Sequence, residues 1–162
     1  MRMITVLAIA ALLFTVGAAQ TLAQQQPQKD VIDTATDAGT FKTLVKVAQE
    51  SGMLQQLKGA GPFTVFAPTD EAFAKLPAGT LDTLMQDKRK LSALLAAHVV
   101  SGKLLAADVT KMQSAKTVNG QEVTFTVKDG APMVNNAKII KADVMASNGV
   151  IHAIDTVFLP KP

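Results

Sequence analysis

Two histidines, His98 and His152, are the only side chains in this 162-residue sequence whose ordinary proton affinity suits acid–base chemistry near neutral pH. They lie far apart in the chain. No pair of histidines stands at helical metal-ligand spacing, and no Gly-x-Ser-x-Gly turn offers an activated hydroxyl. Cysteine is absent, which removes thiol nucleophiles and disulfides together. His152 falls in the stretch Val150 to Ile154, where period-two alternation puts Val150, His152 and Ile154 on one face. That placement favours a buried imidazole hydrogen-bonded inside the fold. Two other readings stand beside it: a metal ligand together with His98 and Asp143, or a base oriented by Asp155. Alternation sends Asp155 to the opposite face, and metal sites usually recruit three or four good ligands. His98, where a helix gives way to a strand, likewise reads as a structural hydrogen-bonding group. Asp70 stands at a predicted helix start, where capping is a simpler role than acid catalysis. Gly102-Lys103 lacks the surroundings of a phosphate loop, since Leu104 and Ala97 replace its hydroxyl residue and first glycine. Carboxylate-only hydrolysis is the one enzymatic scheme left open. This inventory assigns no catalytic residue, no metal ligand and no cofactor.

The first residues address the chain rather than build its fold. Arg2, an apolar run from Met3 to about Val16, and the small residues Gly17, Ala18 and Ala19 have the layout of a secretory signal peptide. Cleavage after Ala19 or after Ala23 fits, and Ala23 is favoured because Thr21 and Ala23 flank the cut. The expected division is a signal peptide over 1–23, a polar linker over 24–29 containing QQQPQ, and one domain over 30–162. The mature protein is then expected to be secreted or periplasmic, without stable membrane insertion. Without Arg2, 15 basic residues face 13 acidic ones, a net charge of +2. Arg89 is the only remaining arginine, and Lys88-Arg89-Lys90 is the only basic cluster. Phosphate readers cluster bidentate arginines and single-strand binders stack bases on aromatic rings. With neither feature, and with no Trp or Tyr, nucleic-acid binding and an aromatic sugar platform are both disfavoured.

The elements that must position these side chains change character along the chain. Val31, Ile32 and Ala35 share one helical face, and Phe41, Leu44, Val45, Val47 and Ala48 form the next apolar stripe, ended by Ser51-Gly52. Met53 to Leu57 gives one more helical turn. Phe63 to Ala67 reads as a buried strand stopped by Pro68, and Thr69 or Asp70 can cap the helix that carries Phe73 and Leu76. Helices are predicted over Thr80 to Met85 and Lys88 to Ala97. After His98 the pattern becomes extended: Val99-Val100, then Lys116 to Val118 and Glu122 to Lys128 around Asn119-Gly120, a strong hairpin signal. Further strands are predicted over Pro132 to Val134, Lys138 to Met145, Val150 to Ile154 and Val157 to Leu159. Helices first and hairpins later predict an α+β fold with a mostly antiparallel sheet.

Three ordered segments carry a resemblance. Gly61-Pro62-Phe63-Thr64-Val65-Phe66-Ala67-Pro68-Thr69-Asp70-Glu71-Ala72-Phe73 resembles the first signature segment of the fasciclin domain. Leu94-Leu95-Ala96-Ala97-His98-Val99-Val100-Ser101-Gly102-Lys103-Leu104 is similar to the central segment. Asn148-Gly149-Val150-Ile151-His152-Ala153-Ile154-Asp155, with Val157, Leu159 and Pro160, resembles the closing one. The similarity covers about Asp30 to Pro160. It implies a wedge of mostly antiparallel strands with helices packed around it, in the small single-domain secreted form found in bacteria. Phe63, Phe66, Pro68, Thr69, Asp70, Asn148, Gly149 and His152 are then structural signature positions.

The family is known chiefly for adhesion and extracellular protein interaction. The resemblance therefore implies a secreted, non-enzymatic module that binds a cell-surface or matrix protein. It implies adhesion contacts at His98, although Ala97 stands where the family commonly has Tyr, and at the Asp-aliphatic pair Asp143-Val144. The competing expectation is a periplasmic protein binding a metal or a lipid-like small molecule, with a pocket between helices and sheet.

Overall fold

The computed structural model describes residues 29–159 apart from residue 60. The expected signal peptide, both cleavage points and most of the linker lie outside the described residues.

Local chemistry sets the helix boundaries. Asp30 caps α1 (Val31–Ala38) by accepting from the Ile32 and Asp33 amides, both at 2.9 Å, and Gly39 ends it at φ 72°. Helix α2 (Lys42–Ser51) begins at Phe41, which has no acceptor side chain, and ends at Gly52. A short α3 (Leu54–Leu57) precedes β1 (Phe63–Pro68). Thr69 caps α4 (Asp70–Ala74) through a 3.2 Å bond from the Ala72 amide. Asp70 instead reaches back to the open start of α2 and accepts from the Thr43 amide at 2.8 Å. Helix α5 (Thr80–Gln86) is followed by α6 (Lys88–Ala97), which Asp87 caps. The strand-rich half then comprises β2 (Val99–Ser101), α7 (Ala106–Lys111), β3 (Ser114–Lys116), β4 (Glu122–Lys128), β5 (Ala131–Val134), β6 (Ala137–Ala146) and β7 (Gly149–Ile154).

The strands form one sheet in the order β2-β1-β7-β6-β5-β4-β3. Every pairing is antiparallel except β1 with β7. The two edges of the sheet then meet, because Val100 bridges Thr117 and the Val118 amide donates to the Val99 carbonyl at 2.8 Å. The result is a closed wedge with two apolar cores. Val65, Ala67, Ile151 and Ala153 face outward and are covered by α1, α2 and α6 residues such as Val47, Leu91 and Leu94. Phe66, Phe125, Val134, Ile139, Ile154 and Phe158 fill the interior of the wedge. Strands β1 and β7 are therefore buried on both faces, which is why they read as continuous apolar runs.

Three elements differ from the sequence reading. Val157 to Leu159 is not a strand: Val157 and Phe158 are buried as an extended plug, and the Phe158 amide bonds to a side chain instead of a ladder. The first arm of the Asn119-Gly120 hairpin pairs at Ser114–Lys116, because Thr117 turns inward and takes the Gln121 carbonyl on both its amide and its hydroxyl, each at 2.8 Å. Helix α7 has no counterpart in the predicted elements; its start is held by carboxylates, Asp108 on the Leu105 amide and Asp143 on the Ala106 amide.

Strands β1 and β7 meet at glycine distance. A Cβ on Gly149 would lie 1.9 Å from the Phe63 carbonyl oxygen, and one on Gly61 would lie 1.8 Å from that of Asn148. Asn148 then ties the surroundings together. Its Oδ1 accepts from the Val31 amide at 3.0 Å, and its Nδ2 donates to the carbonyls of Leu57 at 2.6 Å and Gly59 at 3.0 Å. The Gly149→Ala variant is expected to lose more than about 3 kcal/mol, because β1 and β7 must separate to admit the methyl group. Gly39→Ala, at φ 72° with open space around it, is expected to lose only about 1–2 kcal/mol. Urea unfolding of both variants checks the order, and equal losses would refute it.

Candidate functional site

Among the described residues, the buried polar side chains are all engaged. His98, 1% exposed, donates from Nδ1 to the Leu94 carbonyl at 2.7 Å and accepts the Phe158 amide on Nε2 at 2.9 Å. Its ring stacks on Phe158 at 4.7 Å between centroids and 12° between planes. His152, 0% exposed, uses its nitrogens the other way round. Its Nε2 donates to the Leu104 carbonyl at 2.7 Å, and its Nδ1 accepts the Asp143 amide at 3.3 Å. The His152 ring packs on Phe66 at 5.5 Å. These partners fix both tautomers, since a carbonyl can only accept and an amide N–H can only donate. Both rings are neutral. Burial pushes His98 down to about 4; burial also lowers His152, opposed by its bond to Leu104 and by the Asp143 carboxylate.

Loop 102–105 between β2 and α7 is gripped from three strands. Buried Thr64 on β1 donates its hydroxyl to the Gly102 carbonyl at 2.7 Å and accepts from the Leu104 amide at 2.8 Å. His152 on β7 holds the Leu104 carbonyl, and Asp143 on β6 holds the Ala106 amide through Oδ1 at 2.8 Å. Asp143 sits at φ 58°, between the shifts of register that separate Lys141 from Val144. This bulge turns its carboxylate toward α7 while leaving the residue exposed. Val144 is half-buried against the helix-side core, and Met145 beyond it is 53% exposed.

The sequence-derived site residues are thus split between interior and surface. Asp143 and Val144 share the bulge, and His152 lies directly beneath it. His98 sits inside, with no ring surface for a partner to touch. Asp155 does not orient His152; its Oδ1 accepts from the Lys138 amide at 2.9 Å and from the Thr156 hydroxyl at 3.1 Å. Among the described residues, no three His, Cys, Asp or Glu side chains gather as a metal site, so the grouping of His98, His152 and Asp143 does not form. The pocket expected between helices and sheet is also corrected: the cavity lined by Val31, Leu44, Leu57, Val65, Leu95 and Ile151 holds ≈ 10 Å³. That is at the threshold for one water molecule and gives a lipid-like ligand no room. Thr64 was not legible as a site-building residue, and Asn148 was read as a signature position without its bonds to Val31, Leu57 and Gly59. A threonine in an apolar strand reads as β propensity, and an Asn before Gly reads as a turn.

A closed, mostly antiparallel wedge with one parallel pair, two signature strands at its centre and helices on its outer face defines the class. The family model described as the Fasciclin domain matches residues 39–160, and the chain belongs to the fasciclin domain family. The expectation from the signature segments is met in both family and fold. The chain is 48% identical over 132 residues to protein sll1483 of Synechocystis sp., covering 80% of this chain and 73% of that protein. It is 34% identical over 134 residues to the transforming growth factor-beta-induced protein ig-h3 of Sus scrofa, covering 83% of this chain and 20% of that protein. A solved FAS1 domain pair from the insect cell adhesion molecule Fasciclin I aligns with a TM-score of 0.66 over 76% of this chain and 47% of that chain; at 23% identity the likeness is one of fold.

The buried imidazoles make stability depend on pH. The unfolded state keeps the ordinary histidine value of 6.5, whereas folded His98 sits near 4, so between these values the unfolded chain binds the extra proton. The stabilisation is complete above pH 6.5 and is lost as pH falls toward 4; for His98 it amounts to roughly 3 kcal/mol. Urea unfolding at pH 7 and pH 4.5 is expected to show most of that loss. Equal midpoints at the two pH values would show that His98 is not held neutral.

Proposed function

We propose that this protein is a secreted or periplasmic, non-enzymatic interaction module of the adhesive kind, which engages a cell-surface or matrix protein through the Asp143-Val144 bulge. Family membership is the observation that carries the reading, and a solved structural relative is itself described as a cell adhesion molecule. The chemistry of the interior supports it. Among the described residues, every buried side-chain nitrogen or oxygen has a hydrogen-bond partner, and both histidines are neutral clamps on main-chain groups. Such groups hold loops in place and leave recognition to the surface. Export is supported by the residues of the sequence's first segment, Arg2 followed by the apolar run from Met3 to about Val16 and the small residues after it. Among the described residues, no helix is long and apolar enough to cross a membrane. His98 contributes from within, by fixing the Phe158 plug, rather than as a contact.

Asp143 has two duties that a substitution must separate. Its amide oxygen analogue in Asp143→Asn can still accept from Ala106, and Asn tolerates a positive φ. This variant is expected to stay folded and to bind intact cells or matrix about tenfold more weakly, as saturation binding of labelled protein would show. Asp143→Ala is expected to lose about 1–2 kcal/mol of stability as well, because it strains the bulge and frees α7. Absence of saturable binding by the wild-type protein, or full binding by Asp143→Asn, would contradict the proposal.

A further inference from the structure

Beneath the proposed contact face lies a group whose hydrogen-bonding sense reverses on protonation. His152 accepts the Asp143 main-chain N–H on Nδ1 and donates Nε2–H to Leu104. A second proton can only add at Nδ1, where it would point at the Asp143 N–H and abolish that bond. The Asp143 carboxylate already influences the ring and is otherwise committed to the Ala106 amide at the first turn of α7. It is the charged group that faces the ring. From the other packed elements, β1 presents the neutral Phe66. The 102–105 loop presents the Leu104 carbonyl beside exposed Lys103, and in α7 the Asp108 carboxylate is taken by the Leu105 amide.

We propose that His152 makes the contact face acid-sensitive: when the ring takes up a proton from solvent, the Asp143 carboxylate exchanges the Ala106 N–H for the new Nδ1–H and uncouples α7 from the bulge. The proposal rests on the reading of the Asp143-Val144 surface as the contact face, but the local event needs no partner. One hydrogen bond from Asp143 N–H to His152 is lost, the bond from Ala106 N–H to the carboxylate is lost, and one charge-assisted bond is gained. The Leu104 end of the loop stays fixed. Nε2 remains a donor in the imidazolium, and Thr64, which has no charge to change, still holds the Leu104 amide. Release is therefore confined to the Ala106 end. The Leu104 amide in the loop and the Ala106 amide at the start of α7 should therefore respond differently to the same proton: the first stays protected and the second is released.

Residue-resolved amide hydrogen exchange on the folded wild-type chain, corrected for intrinsic rates, tests this between pH 7.5 and 5.5. The expected result is at least a tenfold loss of protection at Ala106 and Asp143 relative to Leu104, beyond any global loss that the three amides share, and no such difference in His152→Gln. Uniform behaviour of the three amides, or the same loss in His152→Gln, would overturn the proposal. If His152→Gln does not fold, the wild-type His152 ring and the Ala106 and Asp143 amides are followed by NMR through the titration. A shared midpoint supports the switch, and separate midpoints refute it. A local acid response without saturable binding at any pH would sink the contact reading and leave the switch standing; binding without the local response would do the reverse.

Discussion

Between Phe63 and Gly149 two main chains run side by side with no space for a Cβ atom between them. This parallel pairing of β1 with β7 is the constraint from which the rest of the architecture follows. It joins the first strand to the last and gives the sheet two buried faces. It also sets the positions of the polar groups: Thr64 stands opposite Val150, and Phe66 opposite His152. A shift of one residue would exchange the two faces of a strand and drive His152 out of the wedge. Gly61, Gly149 and the side chain of Asn148 hold the register at one end, and the bond from the Thr69 amide to the Ile154 carbonyl closes the other.

From that frame the imidazoles extend control to irregular chain. Each spends one nitrogen as donor and one as acceptor, so each joins two main-chain segments that no ladder could join. His98 fastens the plug at Phe158 to the end of α6, and His152 fastens loop 102–105 to the bulge in β6. A neutral ring is the condition for both, because an imidazolium has no acceptor nitrogen. The apolar stacking partners Phe158 and Phe66 favour that neutral form by keeping water away.

Much of this was legible in the residues and some was not, for physical reasons. Gly52 after α2 and Thr69 before α4 act locally, so the sequence carried their roles as helix stop and helix cap directly. The apolar runs of β1 and β7 announced buried strands, and the alternation placing Val150, His152 and Ile154 on one face holds. Partners distant in sequence left no such trace. Asp70 precedes a helix and yet satisfies a different one, and Asp143 lies mid-strand and caps a helix 37 residues earlier. Helix α7 escaped detection because Leu105 at its cap position is no capping residue by type, and one of the two carboxylates that hold its start, Asp143, lies on a distant strand while only Asp108 is local. Val157 to Leu159 looked like a strand because burial of Val157 and Phe158, rather than pairing, selects their apolar side chains. The buried, hydrogen-bonded state of His152 was readable from alternation, whereas its neutral tautomer and its link to Asp143 required the bulge.

The structure depends on one state of its two buried histidines, neutral clamps of opposite sense. Nitrogen-15 NMR of the imidazole rings at pH 7 tests it most directly. The account predicts a single fixed tautomer for each ring, Nδ1–H for His98 and Nε2–H for His152. Rings that average the two tautomers, share one of them, or carry a second proton at that pH would contradict it.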